Sequence, residues 1–281
     1  VTIVRPDGTA DVIYAVTDPY GGLMCTYQLD GISGTYTVTA TDGTNTASTT
    51  FTDAAAARLD QVRNGAYNDP WDPAEWVNGN AGSSNAHYVE GYSIPYRATM
   101  TDLPTGVPIH LVLGYDIKHS DKNSIDYLTS YNRINSPWLH LAVFGHLPET
   151  IDPTDDTGFS GAPDDTYTIP APTTSPQPHN SYDNLVTSEG LSAVQMSLWG
   201  GDITDIDYVT EGDLTASISQ AQVVVTFTAT RTSAVLAWGG HIAWRGDWGY
   251  TDGVPNSAGG ISGSPYHTAL VDWYGDNADV T

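Results

Sequence analysis

Hydrophobic and polar residues alternate with a period of two in several short stretches of the chain. The clearest stretches are "TYTVTAT" (35–41), "TASTTFT" (46–52), "IHLVLGYDI" (109–117), "LTASIS" (214–219) and "QVVVTFTATR" (222–231). They are bounded by Gly, Pro, Asn or Asp, which favour turns. Because a period of two places successive side chains on opposite faces of a strand, the pattern predicts antiparallel sheets with one buried face. The predicted fold class is all-β.

The strand patterns fall into two units. Residues 1–53 contain short strands at the spacing of a small immunoglobulin-like sandwich. Residues 54–66, "AAAARLDQVRNGA", are rich in good helix formers and are predicted to be a linker or a short helix. Residues 67–281 are predicted to form a larger antiparallel sandwich, similar to a jelly roll. Within it, residues 148–184 form a long excursion rich in Pro, Asp and Thr, which is expected to be functional or disordered and to have little core.

Both units carry a resemblance to bacterial surface proteins. The segment "SGTYTVTATDGTNTASTTFT" (33–52) is similar to the immunoglobulin-like modules of large secreted and cell-surface proteins. Blocks of the larger unit, such as "HYVEGYSIPYRATMTDL" (87–103), "AWGGHIA" (237–243) and "SGSPYHTALVDW" (262–273), resemble a group of large secreted bacterial surface proteins. The resemblance implies an extracellular, adhesin-like or structural protein, and it supplies no catalytic residues.

The charge of the chain excludes some classes of partner. Nine Lys and Arg residues stand against 33 Asp and Glu residues, which gives a net charge of −24. Because phosphate binding needs clustered cations, neither nucleic acid nor an anionic membrane surface is an expected partner. No stretch reaches the roughly 18 apolar residues of a membrane span, so membrane insertion is not expected either. The single cysteine, Cys25, is expected to be a small core residue.

Acidic residues cluster in the segment "GDITDIDYVTEGD" (201–213). Aspartate oxygens are good calcium ligands, and pooling carboxylates around a dication relieves their mutual repulsion. The spacing is not that of an EF-hand. The segment is therefore a candidate calcium loop, with a solvated turn and a catalytic acid set as alternatives. The candidate ligands are Asp202, Asp205, Asp207, Glu211 and Asp213.

Two further acidic segments are candidates for the same ion. The second candidate calcium site, in the excursion, consists of Asp155, Asp156, Asp164 and Asp165. The third lies near the boundary of the two units and consists of Asp69, Asp72, Asn78 and Asn80. Calcium is the one cofactor that the sequence suggests.

The eight histidines show no tight metal-binding spacing such as HExxH. In "HLAVFGH", His140 and His146 are six residues apart, which on a strand corresponds to about 20 Å. That separation is too large for a shared ion. The histidines are therefore predicted to be core or rim residues.

Three functions remain compatible with these patterns. The first is a non-enzymatic extracellular structural protein, in which copies of the chain associate through unpaired strand edges into a filament, tube or surface layer. Calcium is the candidate stabilising ion of this assembly. The alternative is a carbohydrate-binding or adhesin module, since eight tryptophans and seventeen tyrosines would stack on sugars if exposed, although core packing is the favoured explanation for them. The third is a secreted glycoside hydrolase, which needs a pair of catalytic carboxylates. The candidates for this pair are Glu90, Asp116, Asp126 and Glu211.

Overall fold

The computed structural model describes residues 1–28, 34–53, 55–133, 137–174, 176–262 and 266–275. The strands up to the first helix are β1 (Thr2–Val4), β2 (Ala10–Val12), β3 (Gly34–Thr41), β4 (Thr46–Asp53), β5 (Ala56–Ala66), β6 (Asp69–Val77), β7 (Ser93–Thr101), β8 (Pro108–His119), β9 (Lys122–Asn123) and β10 (Ile125–Thr129). The later strands are β11 (Asp165–Thr168), β12 (Gln195–Trp199), β13 (Gly201–Thr210), β14 (Ser219–Ala229), β15 (Ser233–Ile242), β16 (Tyr250–Thr251), β17 (Val254–Pro255) and β18 (Thr268–Gly275). The helices are α1 (Pro137–Phe144), α2 (His179–Glu189) and α3 (Arg245–Trp248), with 3₁₀ turns at Leu191–Ala193 and Ala258–Gly260.

The N-terminal unit is a four-stranded antiparallel sheet in the order β2-β1-β3-β4. Its small core consists of Ile3 and Tyr36, and the Tyr36 ring stacks on Phe51 at a centroid distance of 4.9 Å. In the described part of residues 1–53 there is one sheet rather than the two packed sheets expected for an immunoglobulin-like sandwich. Cys25 is exposed, so the expectation that it is a core residue is wrong.

The larger unit consists mainly of two antiparallel sheets. In the first, the strand order is β11-β12-β15-β7-β5-β6, and β10 also pairs with β15. In the second, the order is β13-β14-β8-β18, and β9 also pairs with β8. Side chains from both sheets, among them Tyr96 and Trp238 from the first and Leu111 and Phe227 from the second, form one buried cluster. The prediction of an all-β sandwich is therefore confirmed.

Strand β5 corrects the prediction of a linker or short helix at residues 54–66. Its residues pair with β7 on one side and with β6 on the other, which places β5 inside the first sheet. Asp60, Val62 and Asn64 are buried, and the residues between them are only partly buried. Because helix propensity differs by less than about 1 kcal/mol per ordinary residue, backbone pairing on both sides outweighs it here.

The excursion at 148–184 has more structure than its composition suggests. It contributes β11 to the edge of the first sheet and the beginning of α2. Ile169 is fully buried in the main core, and Tyr182 packs with Leu185 and Tyr127 in a second, smaller core. The expectation of little core is therefore wrong for this segment. Among the described residues, no helix is both long and apolar enough to cross a membrane.

Candidate metal centre

The acid-rich segment 201–213 is mostly a strand. Asp202, Asp205 and Asp207 are exposed on β13, while Ile203 and Ile206 on the same strand are buried in the core. The burial of the two isoleucines determines which way the strand faces, and the carboxylates therefore point to solvent along an edge of the sheet.

The remaining acids of the first calcium candidate bind protein groups. Glu211 accepts hydrogen bonds from the backbone and hydroxyl groups of Thr173 and Thr174. Burial raises the pKa of Glu211, but these hydrogen bonds lower it by more, so the net pKa lies below its ordinary value. Asp213 accepts hydrogen bonds from the backbone and hydroxyl groups of Thr215. Both carboxylates therefore stabilise loop structure.

The second candidate is also dispersed. Asp155 and Asp156 are exposed in a turn, whereas Asp164 and Asp165 accept hydrogen bonds from the backbone N–H groups of Gly200 and Ile203 at 2.7 and 2.8 Å. In the third candidate, Asp72 accepts a hydrogen bond from the Thr150 N–H group, and Asn78 donates to the Leu59 carbonyl group. These side chains anchor backbone segments at separate places.

The four carboxylates considered for glycoside hydrolysis each have a different partner. Glu90 pairs with Arg245, Asp116 with His267 and Asp126 with His241, while Glu211 binds the two threonines described above. A carboxylate whose oxygens are occupied by protein donors is poorly placed to act on a substrate. The arrangement does not support this hypothesis.

The described part of the chain contains one group of at least three His, Cys, Asp or Glu side chains whose ligand atoms converge. It consists of His87, His140, His146 and Glu149, with one ligand atom from each residue lying within 4.8 Å of the others. We call this group the His₃Glu cluster. It shares no residue with the three candidate calcium sites.

The end of β5 holds His87 in position. His87 lies in the connection between β6 and β7, and its backbone is paired with Asn64: the Asn64 amide donates to the His87 carbonyl group, and the His87 N–H group donates to the Asn64 side-chain oxygen, both at 2.9 Å. The Nδ1 atom of His87 lies 2.8 Å from the Gly65 carbonyl oxygen. A proton on Nδ1 would leave the lone pair of Nε2 facing the cluster, which is how metal-binding histidines are usually oriented.

A helix and a tight turn bring the other three residues together. His140 lies on α1, and Gly145 ends the helix with φ +84° and donates its N–H group to the Leu141 carbonyl group. Because this left-handed conformation reverses the chain, His146 and Glu149 turn back toward His140. The ring centroids of His140 and His146 are 4.8 Å apart. The prediction that these histidines are too distant to share an ion is therefore wrong.

The distances within the cluster approach those of a tetrahedral site. A tetrahedral zinc ion with bonds of about 2.0–2.1 Å has neighbouring ligand atoms about 3.3–3.4 Å apart. The Oε1 atom of Glu149 lies 3.2 Å from His87 Nε2 and 3.2 Å from His146 Nδ1. His140 Nε2 lies 3.3 Å from His87 Nε2 and 3.9 Å from Glu149 Oε1. Four side chains are thus gathered around a space of suitable size for one ion.

The cluster is buried and incompletely satisfied. The side chains of His87, His140 and Glu149 are 5 %, 0 % and 2 % exposed, and Phe144 packs against the rings of both His87 and His140. Among the described residues, six buried side-chain N or O atoms have no hydrogen-bond partner, and three of them are His140 Nδ1, His146 Nε2 and Glu149 Oε1. Of these three, only Glu149 Oε1 lies among the converging ligand atoms, because His140 and His146 approach it with their other ring nitrogens, Nε2 and Nδ1. Because buried polar groups are nearly always paired, the unsatisfied Oε1 atom indicates a missing partner inside the cluster.

The protonation equilibria of the cluster are shifted. Burial lowers the pKa of His87, but Glu149 and the Gly65 carbonyl group together raise it by more, and the net pKa lies above its ordinary value. Burial raises the pKa of Glu149, but interactions with His87 and Asn64 lower it by more, so the carboxyl group is ionised near neutral pH. Burial lowers the pKa of His140. The cluster therefore combines a buried anion with a readily deprotonated imidazole, and both are suitable metal ligands.

Sequence reasoning missed this cluster because its signal is weak. The spacing H-x₅-H-x₂-E in 140–149 is visible, but it places the three residues together only if a helix is followed by a reversal at Gly145. His87 lies 53 residues before His140, and nothing in the local sequence connects the two.

Comparisons with known proteins add no relative: no family model, no curated protein and no solved structure matches this chain. The resemblance to secreted bacterial surface proteins therefore stays a prediction.

Proposed function

We propose that this protein binds one divalent transition-metal ion in the His₃Glu cluster, and that the ion has a structural role. The observation that carries the proposal is the Glu149 carboxylate, which is 2 % exposed and has one oxygen, Oε1, without a hydrogen-bond partner, 3.2 Å from two imidazoles. An ionised group in such a place is costly unless a positive charge compensates it. A metal ion supplies that charge and also binds the imidazole nitrogens.

The donor set favours zinc over calcium. Calcium takes six to eight oxygen ligands, whereas this cluster offers three imidazoles and one carboxylate. Imidazole suits Zn, Cu, Fe and Ni, and zinc accepts four nitrogen and oxygen ligands in a tetrahedron. The hydrogen bond that Asn64 donates to Glu149 Oε2 at 3.0 Å would orient the carboxylate as an outer partner.

Four protein ligands leave no open position on a tetrahedral ion, which is the arrangement of structural rather than catalytic zinc. Such an ion would tie α1 and the following turn to the loop of His87 and, through Asn64, to the end of β5. The proposed function is accordingly non-enzymatic: the metal ion would fix α1 and the following turn to the sandwich.

Metal content measured by mass spectrometry tests the proposal. The purified protein, loaded with zinc and passed over a weak chelating resin, should retain about one ion per chain. His87→Ala and Glu149→Gln should lose most of the bound metal. His179→Ala is the matched control, because this half-exposed histidine on α2 lies outside the cluster, and it should retain the metal. A wild-type protein that binds no transition metal, or equal metal content in all variants, would show the proposal to be wrong.

A second proposal concerns the N-terminal unit. We propose that it mediates association between copies of an extracellular surface protein. The supporting observation is a run of apolar side chains with nothing packed on them: Tyr14, Val16, Tyr20 and Met24 are 95 %, 92 %, 97 % and 95 % exposed. Exposed apolar groups in such a concentration are typical of interaction surfaces.

The partner that fits this surface is a second copy of the chain. Residues 13–26 contain one acid and no base, so they are nearly uncharged in a chain with a net charge of −24. Contact through this segment would keep the acidic surfaces of two copies away from one another. The edge strands β2 and β4 of the same sheet could add backbone pairing, in the way expected from the sequence.

Sedimentation velocity over a range of concentrations tests association. The wild type should form species larger than a monomer, whereas a variant with serine at positions 14, 16, 20 and 24 should stay monomeric. A matched control replaces exposed apolar residues of the larger unit, namely Leu191, Val209 and Ile218, with serine. A monomeric wild type, or a control that loses association to the same degree, would refute the proposal.

A further inference from the structure

A surface cavity lies beside the His₃Glu cluster. It has a volume of about 620 Å³, and His87 and Phe144 form one of its walls. Its rim carries two aromatic rings, Tyr67 and Trp244, which are 60 % and 47 % exposed. The volume is within the range of about 300–1,000 Å³ that is usual for small-ligand sites. Of the four residues of the His₃Glu cluster, only His87 lines the cavity.

Small residues support the Trp244 ring from within the protein. A Cβ atom added to Gly246 would come within 2.4 Å of the ring, and one added to Gly91 would lie 3.5 Å from it. The ring therefore lies directly against backbone at Gly246, where no other residue would leave it room. An aromatic side chain held in this way is a preformed platform, since little side-chain entropy remains to be lost on binding.

The charges that line the cavity are already paired. Glu90 accepts hydrogen bonds from Arg245 Nε at 2.5 Å, from the Ser257 hydroxyl group at 2.7 Å and from the Gly259 N–H group. Burial raises the pKa of Glu90, but these donors lower it by more, so the ion pair persists at neutral pH. No net charge is therefore offered to a ligand by this pair. The negative charge of the whole chain further disfavours anions.

We propose that this cavity binds a neutral saccharide. Sugars present flat C–H faces that stack on aromatic rings and hydroxyl groups that exchange hydrogen bonds with polar side chains. The cavity offers both, in the rings of Trp244 and Tyr67 and in Gln61, Ser83 and the outer face of the Glu90–Arg245 pair. A purely apolar ligand would cover these polar groups without bonding to their remaining donors and acceptors, and a charged ligand would find no free counter-ion in the Glu90–Arg245 pair.

An array of neutral and acidic oligosaccharides, probed with the labelled full-length chain, tests the proposal first. We expect binding to one or more neutral glycans. The best neutral glycan is then titrated by calorimetry against variants, where Trp244→Ala and Tyr67→Ala should each lower the affinity at least about fivefold. Tyr20→Ala is the matched control, because Tyr20 is 97 % exposed in the N-terminal unit, and it should leave the affinity unchanged.

Each other outcome overturns the inference. An array without a neutral hit, or with only sialylated or sulfated hits, contradicts the assignment of the ligand class. Binding that is unaffected by Trp244→Ala and Tyr67→Ala places the ligand elsewhere. Circular dichroism of each variant distinguishes lost binding from lost folding. Because metal content is measured separately, failure of the saccharide site and failure of the metal proposal remain distinguishable.

Discussion

Replacing Glu149 with Gln removes one negative charge from the His₃Glu cluster and keeps the shape of the side chain. If a zinc ion binds only the folded protein, it stabilises the fold by about 2.7 kcal/mol when its free concentration is 100 times the dissociation constant. For a domain of roughly 150–250 residues, each kcal/mol corresponds to about 2–4 °C in melting temperature, so the wild type should gain about 5–10 °C. A neutral amide is a far weaker zinc ligand than a carboxylate, and Glu149→Gln should therefore gain less than about 2 °C.

Differential scanning calorimetry in excess zinc and in EDTA measures both shifts. His179→Ala serves as the control, since it removes a histidine from α2 without touching the cluster, and its zinc shift should match that of the wild type. The reasoning is refuted if Glu149→Gln keeps the full shift, because the carboxylate would then not be a ligand. It is equally refuted if the wild type melts at the same temperature in zinc and in EDTA.

Three further predictions follow from the geometry. Gly145→Ala places a Cβ atom on a residue with φ +84°, which should lower the unfolding free energy, measured by urea titration, by about 1 kcal/mol. The same change should weaken zinc binding. An unchanged zinc affinity would show that the reversal at Gly145 does not position His146. Glu211 has a folded pKa below its ordinary value of 4.5, so its contribution to stability is present above pH 4.5 and is lost as the pH falls through the folded pKa. Glu211→Gln should accordingly have a lower urea midpoint than the wild type at pH 7, and this difference should shrink below pH 4.5; a difference that stays constant with pH would contradict the assignment. Replacing the exposed acids of β13 with Asn should change the melting temperature by less than about 2 °C in millimolar calcium or EDTA, and a large calcium-dependent loss would revive the calcium prediction. These acids are Asp202, Asp205 and Asp207.

The architecture could be predicted from local pattern because burial of one strand face leaves a direct trace in the sequence. In β8 and β14 the apolar residues recur with a period of two, and the alternate residues of β14 from Ala221 to Ala229 are indeed buried. In β13, a strict period of two would place Ile203 and Ile206 on opposite faces, yet both are buried. Its regular alternation is interrupted by a shift in pairing between Ile203 and Asp205, and the abundance of aspartate then suggested a loop.

Strand β5 shows where local preference fails. "AARLDQVRNGA" contains good helix formers, yet its backbone is paired with β6 and β7, and that pairing involves residues up to 45 positions away in the ladder between Ala56 and Thr101. Propensity acts within a few residues, whereas a sheet is stabilised by partners anywhere along the chain. Position in the sheet therefore decided the conformation of this segment.

The all-β class, the net negative charge and the expectation of a surface protein follow from the sequence alone, because composition, alternation and resemblance need no knowledge of the fold. Which side chains meet depends on the folded structure. The His₃Glu cluster needs the end of β5 to hold His87 and the turn at Gly145 to return His146 and Glu149 to His140. Convergence of this kind depends on the relative placement of distant backbone segments, and the local pattern of hydrophobic and polar residues does not specify that placement.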